Sequence, residues 1–502
     1  MLTNSISEKK VGKKLYDYQE EDLKLIFERF VNCPDDYNLL YQLPTGGGKT
    51  VVFSEIARRY LKNTGKKVLI LTHRIELCGQ THRMLTEFGV TNKIIDSKVK
   101  ELHDQDDYIC FVAMVETLKN RLQDELFKVE KIGLVIIDEA HYNSFRKLFK
   151  YFEQCFILGV TATPLSSNIN LPMKDIYKEL IVGNDISSLV KKGFLAKATT
   201  YTYDVRLGSL KVGINGDYTV KSSEELYSSA IMQNKLLYAY NQRLKGRKVL
   251  IFNAGIVTSK NVYETFKDAK VPVRHLDSTM TKNQRKEILQ WFKVTPNAVL
   301  TSVGILTTGF DEPTIEGIML NRATRSLALY YQMIGRGSRV IPGKSTFEVV
   351  DLGNNAARFG LWSAEVDWQK IFRSPQYFLQ NIITDDEIER NFKYIMPNEL
   401  RERFKKTEDV YFDIKEENKK VVKEGRRTSV VLDRAIEQHA NMIHENSEDY
   451  GEALELIRLL SENISDRIRR YCYCICNSTK NYRDWAKEDY TRKLKLKVAS
   501  KF

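Results

Sequence analysis

Leu43-Pro44-Thr45-Gly46-Gly47-Gly48-Lys49-Thr50 follows an apolar, strand-like run, Tyr37 to Tyr41, and precedes a helix-like run from Val51 to Tyr60. Strand, glycine-rich turn and helix, in that order, are what a phosphate-binding loop requires. Glycines carry no Cβ, so the backbone can curl around a polyphosphate and aim several N–H groups at it. Lys49 can reach the terminal phosphates, and the Thr50 hydroxyl can bind Mg²⁺. Leu43 occupies the place of the upstream glycine in the G-x-x-x-x-G-K-[ST] pattern, so the reading depends on what lies downstream.

Downstream comes Leu134-Val135-Ile136-Ile137-Asp138-Glu139-Ala140-His141. Four consecutive branched apolar residues read as a strand buried on both faces. Two carboxylates at its C-terminal end stand at the edge where open α/β sheets hold ligands. Asp138 is the candidate to hold the Mg²⁺ that Thr50 also touches, and Glu139 to orient and deprotonate an attacking water. A buried structural network at the strand ends is the alternative for these residues. Leu158-Gly159-Val160-Thr161-Ala162-Thr163-Pro164 repeats the pattern of strand followed by small hydroxyl residues.

Taken together, PTGGGKT, DEAH and TATP resemble the first motor domain of superfamily-two helicases and translocases. The second half agrees: Val299-Leu300-Thr301-Ser302 leads to Thr307-Thr308-Gly309-Phe310-Asp311, then to Gln332-Met333-Ile334-Gly335-Arg336-Gly337-Ser338-Arg339. These resemble the fifth and sixth motifs, which complete the ATP site from a second domain. Leu15-Tyr16-Asp17-Tyr18-Gln19 resembles the adenine-contacting segment, with Gln19 as reader of the base. The resemblance covers roughly residues 14 to 362. Thr72-His73-Arg74-Ile75-Glu76-Leu77 and the stretch Arg322 to Arg339 look like the DNA-directed branch with XPB, RadD and phage UvsW helicases and restriction-enzyme motors. RNA helicases of the DEAD-box type usually begin the sixth motif with His, where this chain has Gln332. Relatives often carry Glu before Gly-Phe-Asp; Thr308 stands there instead.

The resemblance implies two RecA-like parallel-sheet α/β domains in tandem, binding ATP and Mg²⁺ between them. Thr45, Gly46, Gly47, Gly48, Lys49 and Thr50 would cradle the phosphates. Arg336 and Arg339, three apart and so on one helix face, would neutralise the γ-phosphate, with Arg339 as the finger; a surface salt-bridge pair is the alternative. Gln332, one turn earlier, would face the same cleft, and Gly309 and Asp311 would shape a turn at the ribose or serve simply as turn residues. His73 and Arg74 are candidates for DNA-phosphate contacts, as are Thr117 and Thr301, for which helix capping competes. Thr161 and Thr163 would couple nucleotide state to the nucleic-acid groove, or merely satisfy a strand end.

The 502 residues suffice for two or three domains. Lysine and arginine outnumber the acids 78 to 65, a net +13 that favours a polyanionic partner. The chain after Trp362 is nearly neutral, so almost all of the excess lies on the motor, as tracking of a phosphate backbone would require. Scattered solvated lysines are the plainer account. No run approaches the ~20 apolar residues of a membrane span, and Met1 to Lys14 has no apolar core for secretion. With seven cysteines, mostly scattered, a cytoplasmic protein in a reducing compartment is expected.

Residues 1–13 read as a tail, 14–200 as the first domain, 201–224 as a connector or hairpin, and 225–362 as the second domain. Residues 363–502 read as a helical accessory region, the candidate contact for a protein partner. There, Leu454, Ile457, Leu460, Ile464 and Ile468 recur at helical spacing. Cys472, Cys474 and Cys476 lack the C-x₂₋₄-C pairing of zinc sites, which favours plain thiols. Arg492, Lys493, Lys495, Lys497 and Lys501 form an acid-free basic end, a phosphate contact or a solvated terminus. DNA is the expected track, with RNA as the lesser reading.

Overall fold

In the computed structural model, residues 14–97, 104–168, 170–304, 306, 310–380, 382–390, 396–475 and 480–502 are described. The tail 1–13, residues Thr307, Thr308 and Gly309 of the fifth motif, and Cys476 lie outside the described residues. Two compact units emerge, Met1–Asp385 and Asp386–Phe502.

The first unit holds two sheets in which every pairing is parallel. The strands of the first are β1 (Asn38–Gln42), β2 (Lys67–Thr72), β3 (Asn92–Ile95), β4 (Cys110–Met114), β5 (Ile132–Asp138), β6 (Phe156–Thr161) and β7 (Glu179–Val182). They lie in the order β3-β4-β2-β5-β6-β1-β7. β2, β5 and β6 are buried at every position, which is why their sequences are unbroken apolar runs rather than alternating ones. The second sheet comprises β8 (Lys197–Thr202), β9 (Val249–Asn253), β10 (Val273–Leu276), β11 (Val299–Ser302), β12 (Gly317–Asn321) and β13 (Thr346–Asp351). Its order is β10-β11-β9-β12-β13-β8. Both are RecA-like α/β sheets, and each fully buried Leu, Ile or Val in them contributes about 1.5–3 kcal/mol.

Two expected boundaries move. Residues 201–224 were expected to form a connector or hairpin, yet Tyr201 and Thr202 end β8, Lys197–Thr202, paired with β13 from Lys197↔Thr346 to Thr202↔Asp351. The second sheet therefore recruits its edge strand from before residue 201. A small hairpin does exist, but only where Val212 bridges Tyr218 antiparallel. Asp217 anchors it, accepting hydrogen bonds from Thr324 Oγ1 and from the Arg325 N–H, both at 2.7 Å. The helical region also begins later than residue 363. Trp368, Ile371 and Phe372 are buried in the core that contains the first sheet. Gln369 Nε2 donates to the Leu180 carbonyl in β7 at 2.8 Å. The apolar face of Trp368–Arg373 thus closes the edge of the first sheet.

The second unit is helical, with Ile414–Lys423, Val430–Glu445, Tyr450–Leu459, Ser461–Cys474 and Lys480–Ala499 as its longer helices. Ile457, Leu460, Ile464 and Ile468 are buried and Leu454 half-buried, with the helix broken at Leu460. The basic end is not acid-free in space. Arg492 and Lys493 pair with Asp489, and Lys497 and Lys501 with Glu437. That engagement argues against a dedicated phosphate contact there. Among the described residues no group of three or more His, Cys, Asp or Glu could hold a metal ion, and no helix is long and apolar enough to cross a membrane.

Candidate active site

β1, β5 and β6 end side by side, because β6 lies between the other two. Gln42 stands opposite Thr161, and Asp138 opposite Val160. The loop after β1, the carboxylates of β5 and the threonines of β6 therefore meet at one C-terminal edge, the position at which parallel sheets bind ligands.

The loop turns through Gly46 at φ +93° and Gly48 at φ +88°, then enters the helix Lys49–Thr64. A Cβ on Gly46 would meet Ser338 Oγ at 2.6 Å and Leu195 Cδ2 at 2.8 Å, and one on Gly335 would meet Thr45 Cγ2 at 2.5 Å. The second sheet's arginine segment is thus packed directly on the loop, and only glycine permits that approach. Behind the loop, Tyr18 Oη donates to the Gly47 carbonyl at 2.8 Å and Gln19 Nε2 to the same carbonyl at 3.0 Å. Gln19 is buried and bound to the loop backbone, so in this structure it buttresses the loop instead of presenting its amide to a base. Tyr16, Tyr18 and Phe194 form an aromatic cluster alongside, with Tyr16 and Phe194 centroids 4.5 Å apart.

A cleft of about 310 Å³ opens over the loop. Thr45, Gly46, Gly48, Lys49, Thr50, Asp138 and Glu139 line it from the first sheet. Phe310, Asp311, Gly335, Arg336 and Arg339 line it from the second. Glu139 sits at φ +53°, a left-handed conformation that costs a non-glycine residue about 1 kcal/mol or more. Its Oε2 is buried and, among the described residues, receives no hydrogen bond; His141 Nδ1 stands 3.4 Å away. Burial alone would raise the Glu139 carboxyl, but Lys49, His141, His73 and Arg336 hold it below its ordinary value. Asp138 goes the other way, pushed up to about 7 by burial and by the neighbouring Glu139 charge. The pair therefore divides its roles: Glu139 is held toward its ionised form, while Asp138 is shifted toward its protonated form and a bound cation would favour its charge. Burial lowers Lys49, with both carboxylates opposing.

Arg336 donates from Nη1 to the Phe310 carbonyl at 2.5 Å, and burial with the nearby Arg339 pushes its guanidinium down to about 10. Arg339 donates from Nε to Asp311 Oδ1 at 2.8 Å and from Nη1 to the Gly46 carbonyl at 2.9 Å. The second sheet thus reaches the phosphate loop through Arg339. Asp311, about half exposed, lines the cleft and gives Oδ1 to that arginine. Arg336 lies in a 3-10 turn, Gly335–Gly337, with Arg339 beyond it, so the expected shared helix face is replaced by a turn aiming both at the cleft.

Gln332 does not face this cleft. It lines a second cavity of about 550 Å³ with Arg74, His141, Tyr142, Arg322 and Arg325, and its buried Nε2 has no hydrogen-bond partner among the described residues. His73 is half-buried beside this cavity's wall, its ring 4.2 Å from that of Tyr142, which lies 4.3 Å from His141. Burial pushes His73 down to about 4, so it is neutral at pH 7 and a poor ligand for a phosphate charge. Thr117 is half-buried inside the helix Val115–Gln123, whose N-cap is Met114, so it caps nothing. Thr301 was expected at the DNA, but the structure places it inside the second domain. It is fully buried, its Oγ1 accepting from Asn253 Nδ2 at 2.8 Å and lying 2.9 Å from Ser259 Oγ, so it cannot touch DNA. Thr161 and Thr163 are buried too, with Thr161 Oγ1 3.0 Å from His141 Nδ1 and 3.1 Å from the Thr163 carbonyl it donates to.

Leu77, Gln80 and Met84 also line the nucleotide cleft, from the helix Ile75–Glu87. Their i, i+3, i+7 spacing puts them on one face; that periodicity was visible in the sequence, though not what the face would meet.

Residues 12–166 match the family described as type III restriction enzyme, res subunit, and residues 231–340 the helicase conserved C-terminal domain. The chain is 27% identical over 337 residues to a 51.5 kDa protein of a Lactococcus phage, covering 66% of this chain and 69% of that one. It is 21% identical over 394 residues to the ATP-dependent DNA helicase uvsW of Enterobacteria phage T4, covering 74% and 75%. Among solved structures, the ATP-dependent type ISP restriction-modification enzyme LlaBIII bound to DNA superposes at a TM-score of 0.52 with 15% identity, over 98% of this chain and 42% of that enzyme. Two ordered motor-domain matches on two RecA-like sheets place the chain among the superfamily-two helicases, in resemblance to their phage and DNA-helicase branch.

Proposed function

We propose that this protein is an ATP-dependent DNA helicase or duplex translocase, acting in the replication, recombination or repair of DNA in a phage or mobile element. One observation carries the reading: Arg339, in the arginine segment of the second α/β domain, bonds to the Gly46 carbonyl of the phosphate loop, in the same cleft as Glu139, whose Oε2 receives no hydrogen bond among the described residues. The fit of a nucleoside triphosphate with Mg²⁺ rests on the donor set. Loop amides, Lys49, Arg336 and Arg339 supply positive charge, and Thr50 and Asp138 are the hard oxygen ligands that would hold Mg²⁺, which when bound neutralises phosphate charge. Glu139 accepts the proton of the attacking water, because its carboxyl is held ionised. Arg336 and Arg339 stabilise charge on the transferred phosphoryl group, and its loss releases the second sheet from the loop. Gripping a backbone alternately by the two domains converts that cycle into movement with little sequence preference. The DNA assignment draws on the phage DNA helicase and the net positive charge.

A second reading, a motor subunit of a restriction or defence assembly, is favoured by the res-subunit match and would show as co-purification with a partner. The deciding experiment is steady-state ATP hydrolysis with single-stranded, duplex and forked DNA and with RNA at one salt concentration, with Lys49→Ala and Glu139→Gln as controls. DNA stimulation lost in both variants supports the proposal. Stimulation by RNA alone transfers the protein to RNA remodelling.

A further inference from the structure

Lys344 lies just past the arginine segment, on a turn closed by Lys344 N donating to the Ile341 carbonyl at 2.9 Å, with Gly343 at φ +85°. Its side chain folds back under that segment and is buried. The ammonium donates to the carbonyls of Pro313 at 3.0 Å, Gly337 at 2.8 Å and Arg339 at 2.7 Å. An ammonium has three N–H donors, so each is spent on a backbone oxygen. Two of those oxygens belong to the segment carrying Arg336 and Arg339. The third lies just beyond Asp311, which Arg339 pairs with, and Phe310, whose carbonyl Arg336 holds. Backbone carbonyls alone would be satisfied by water at a surface; a buried cation that collects three of them from two segments fixes those segments relative to each other.

We propose that Lys344 is the positioning residue of the arginine pair, locking Gly337 and Arg339 against Pro313 so that Arg339 reaches the phosphate loop. The proposal rests on the reading of the cleft as an ATPase site. Lys344 touches no substrate and acts through Arg339. The groups around it are Glu316 and Glu312, which favour its charged form, and Arg339, which with burial opposes it; burial wins, and the ammonium is pushed down to about 8. The Phe347 ring lies 5.9 Å away. As pH rises through that value, one of the three donors is lost and the clamp loosens.

The test uses the full chain with Lys344→Met and Lys344→Arg. ATP turnover with saturating DNA is followed from about pH 6.5 to 9.5. Wild type is expected to lose turnover on the alkaline side of about pH 8, and Lys344→Met to lower kcat about 10- to 100-fold, with KM within about threefold, and to flatten that alkaline fall. Lys344→Arg, which keeps charge and donors, restores part of kcat. In an Arg339→Ala background Lys344→Met adds no further loss, since a residue acting through Arg339 has nothing left to position. Full additivity, or kcat within about twofold of wild type, overturns the proposal. Amide exchange across Gly335–Lys344 tests the clamp independently of turnover. If wild type hydrolyses no ATP, the enzymatic reading fails, while faster exchange in Lys344→Met still supports the clamp and unchanged exchange overturns it.

Discussion

Glu139, just past β5, and Asp277, just past β10, are both buried carboxylates at the C-terminal ends of parallel strands, yet the protein treats them oppositely. Asp277 Oδ2 lies 2.7 Å from His275 Nε2, and its Oδ1 accepts from Thr279 N at 2.7 Å and Thr279 Oγ1 at 2.6 Å. His275 Nδ1 lies 2.8 Å from Ser259 Oγ, giving a Ser–His–Asp order like that of a hydrolase. Ser259 is fully buried, however, and its hydroxyl also lies against Thr301, so this chain is a packed network with no access for a substrate. Glu139 has an oxygen that receives no hydrogen bond among the described residues, a left-handed backbone and an open cleft. A satisfied carboxylate stabilises its fold, and one left unsatisfied among cations is poised for a ligand.

The contrast is broken most severely on the cleft side. Arg339→Ala is expected to reduce ATP turnover about 10³-fold, because it removes charge stabilisation at the phosphoryl group. Steady-state hydrolysis with saturating DNA measures this, and a loss of less than about tenfold would reassign the finger to Arg336. Glu139→Gln should lower kcat by about 10²–10³-fold with only a small fall in the denaturation midpoint, since Oε2 receives no hydrogen bond among the described residues and only its attraction to the surrounding cations is lost. A large fall in stability would make Glu139 a structural charge instead.

Asp277→Asn reverses that outcome, with turnover largely kept and stability falling by about 1–3 kcal/mol in denaturant titration. Burial alone would raise the Asp277 carboxyl, but bonds from Thr279 and His275 bring it down from 3.8 to about 2. A depressed carboxylate contributes stability above its unfolded value, so the contribution is full above about pH 4 and lost as pH falls through about 2. The gap between wild type and Asp277→Asn should therefore shrink over that range. The smallest effect belongs to a third carboxylate, Glu437, whose partners Lys497 and Lys501 are partly exposed. Lys497→Ala should change stability by only about 0–1 kcal/mol and leave DNA affinity unaltered. A marked loss of DNA binding would revive the basic end as a phosphate contact.

Most of the strands and the whole phosphate loop were legible because fully buried parallel strands need unbroken branched apolar runs, and a loop that wraps phosphate needs glycines. β3 and β8 carry no such run. Asn92–Ile95 and Lys197–Thr202 mix polar and apolar residues, since edge and near-edge strands face partly outward. Gln332 was expected at the nucleotide because of its place in the motif, but its turn in the chain aims it into the second cavity. Thr301 was expected at the DNA, but its hydroxyl is taken by Asn253.

The amino-acid order by itself marked the parallel strands through their buried apolar runs and, together with the family resemblance, brought forward Lys49, Thr50, Asp138, Glu139, Arg336 and Arg339, all of which line one cleft. Tertiary structure alone decided that Asp311 is bound by Arg339, that Ser259, His275 and Asp277 are sealed from solvent, and that Lys344 returns beneath the arginine segment. Those outcomes depend on which side chains distant segments bring within about 3 Å, and hydrogen bonding at that range is set by packing in space, not by neighbours in sequence.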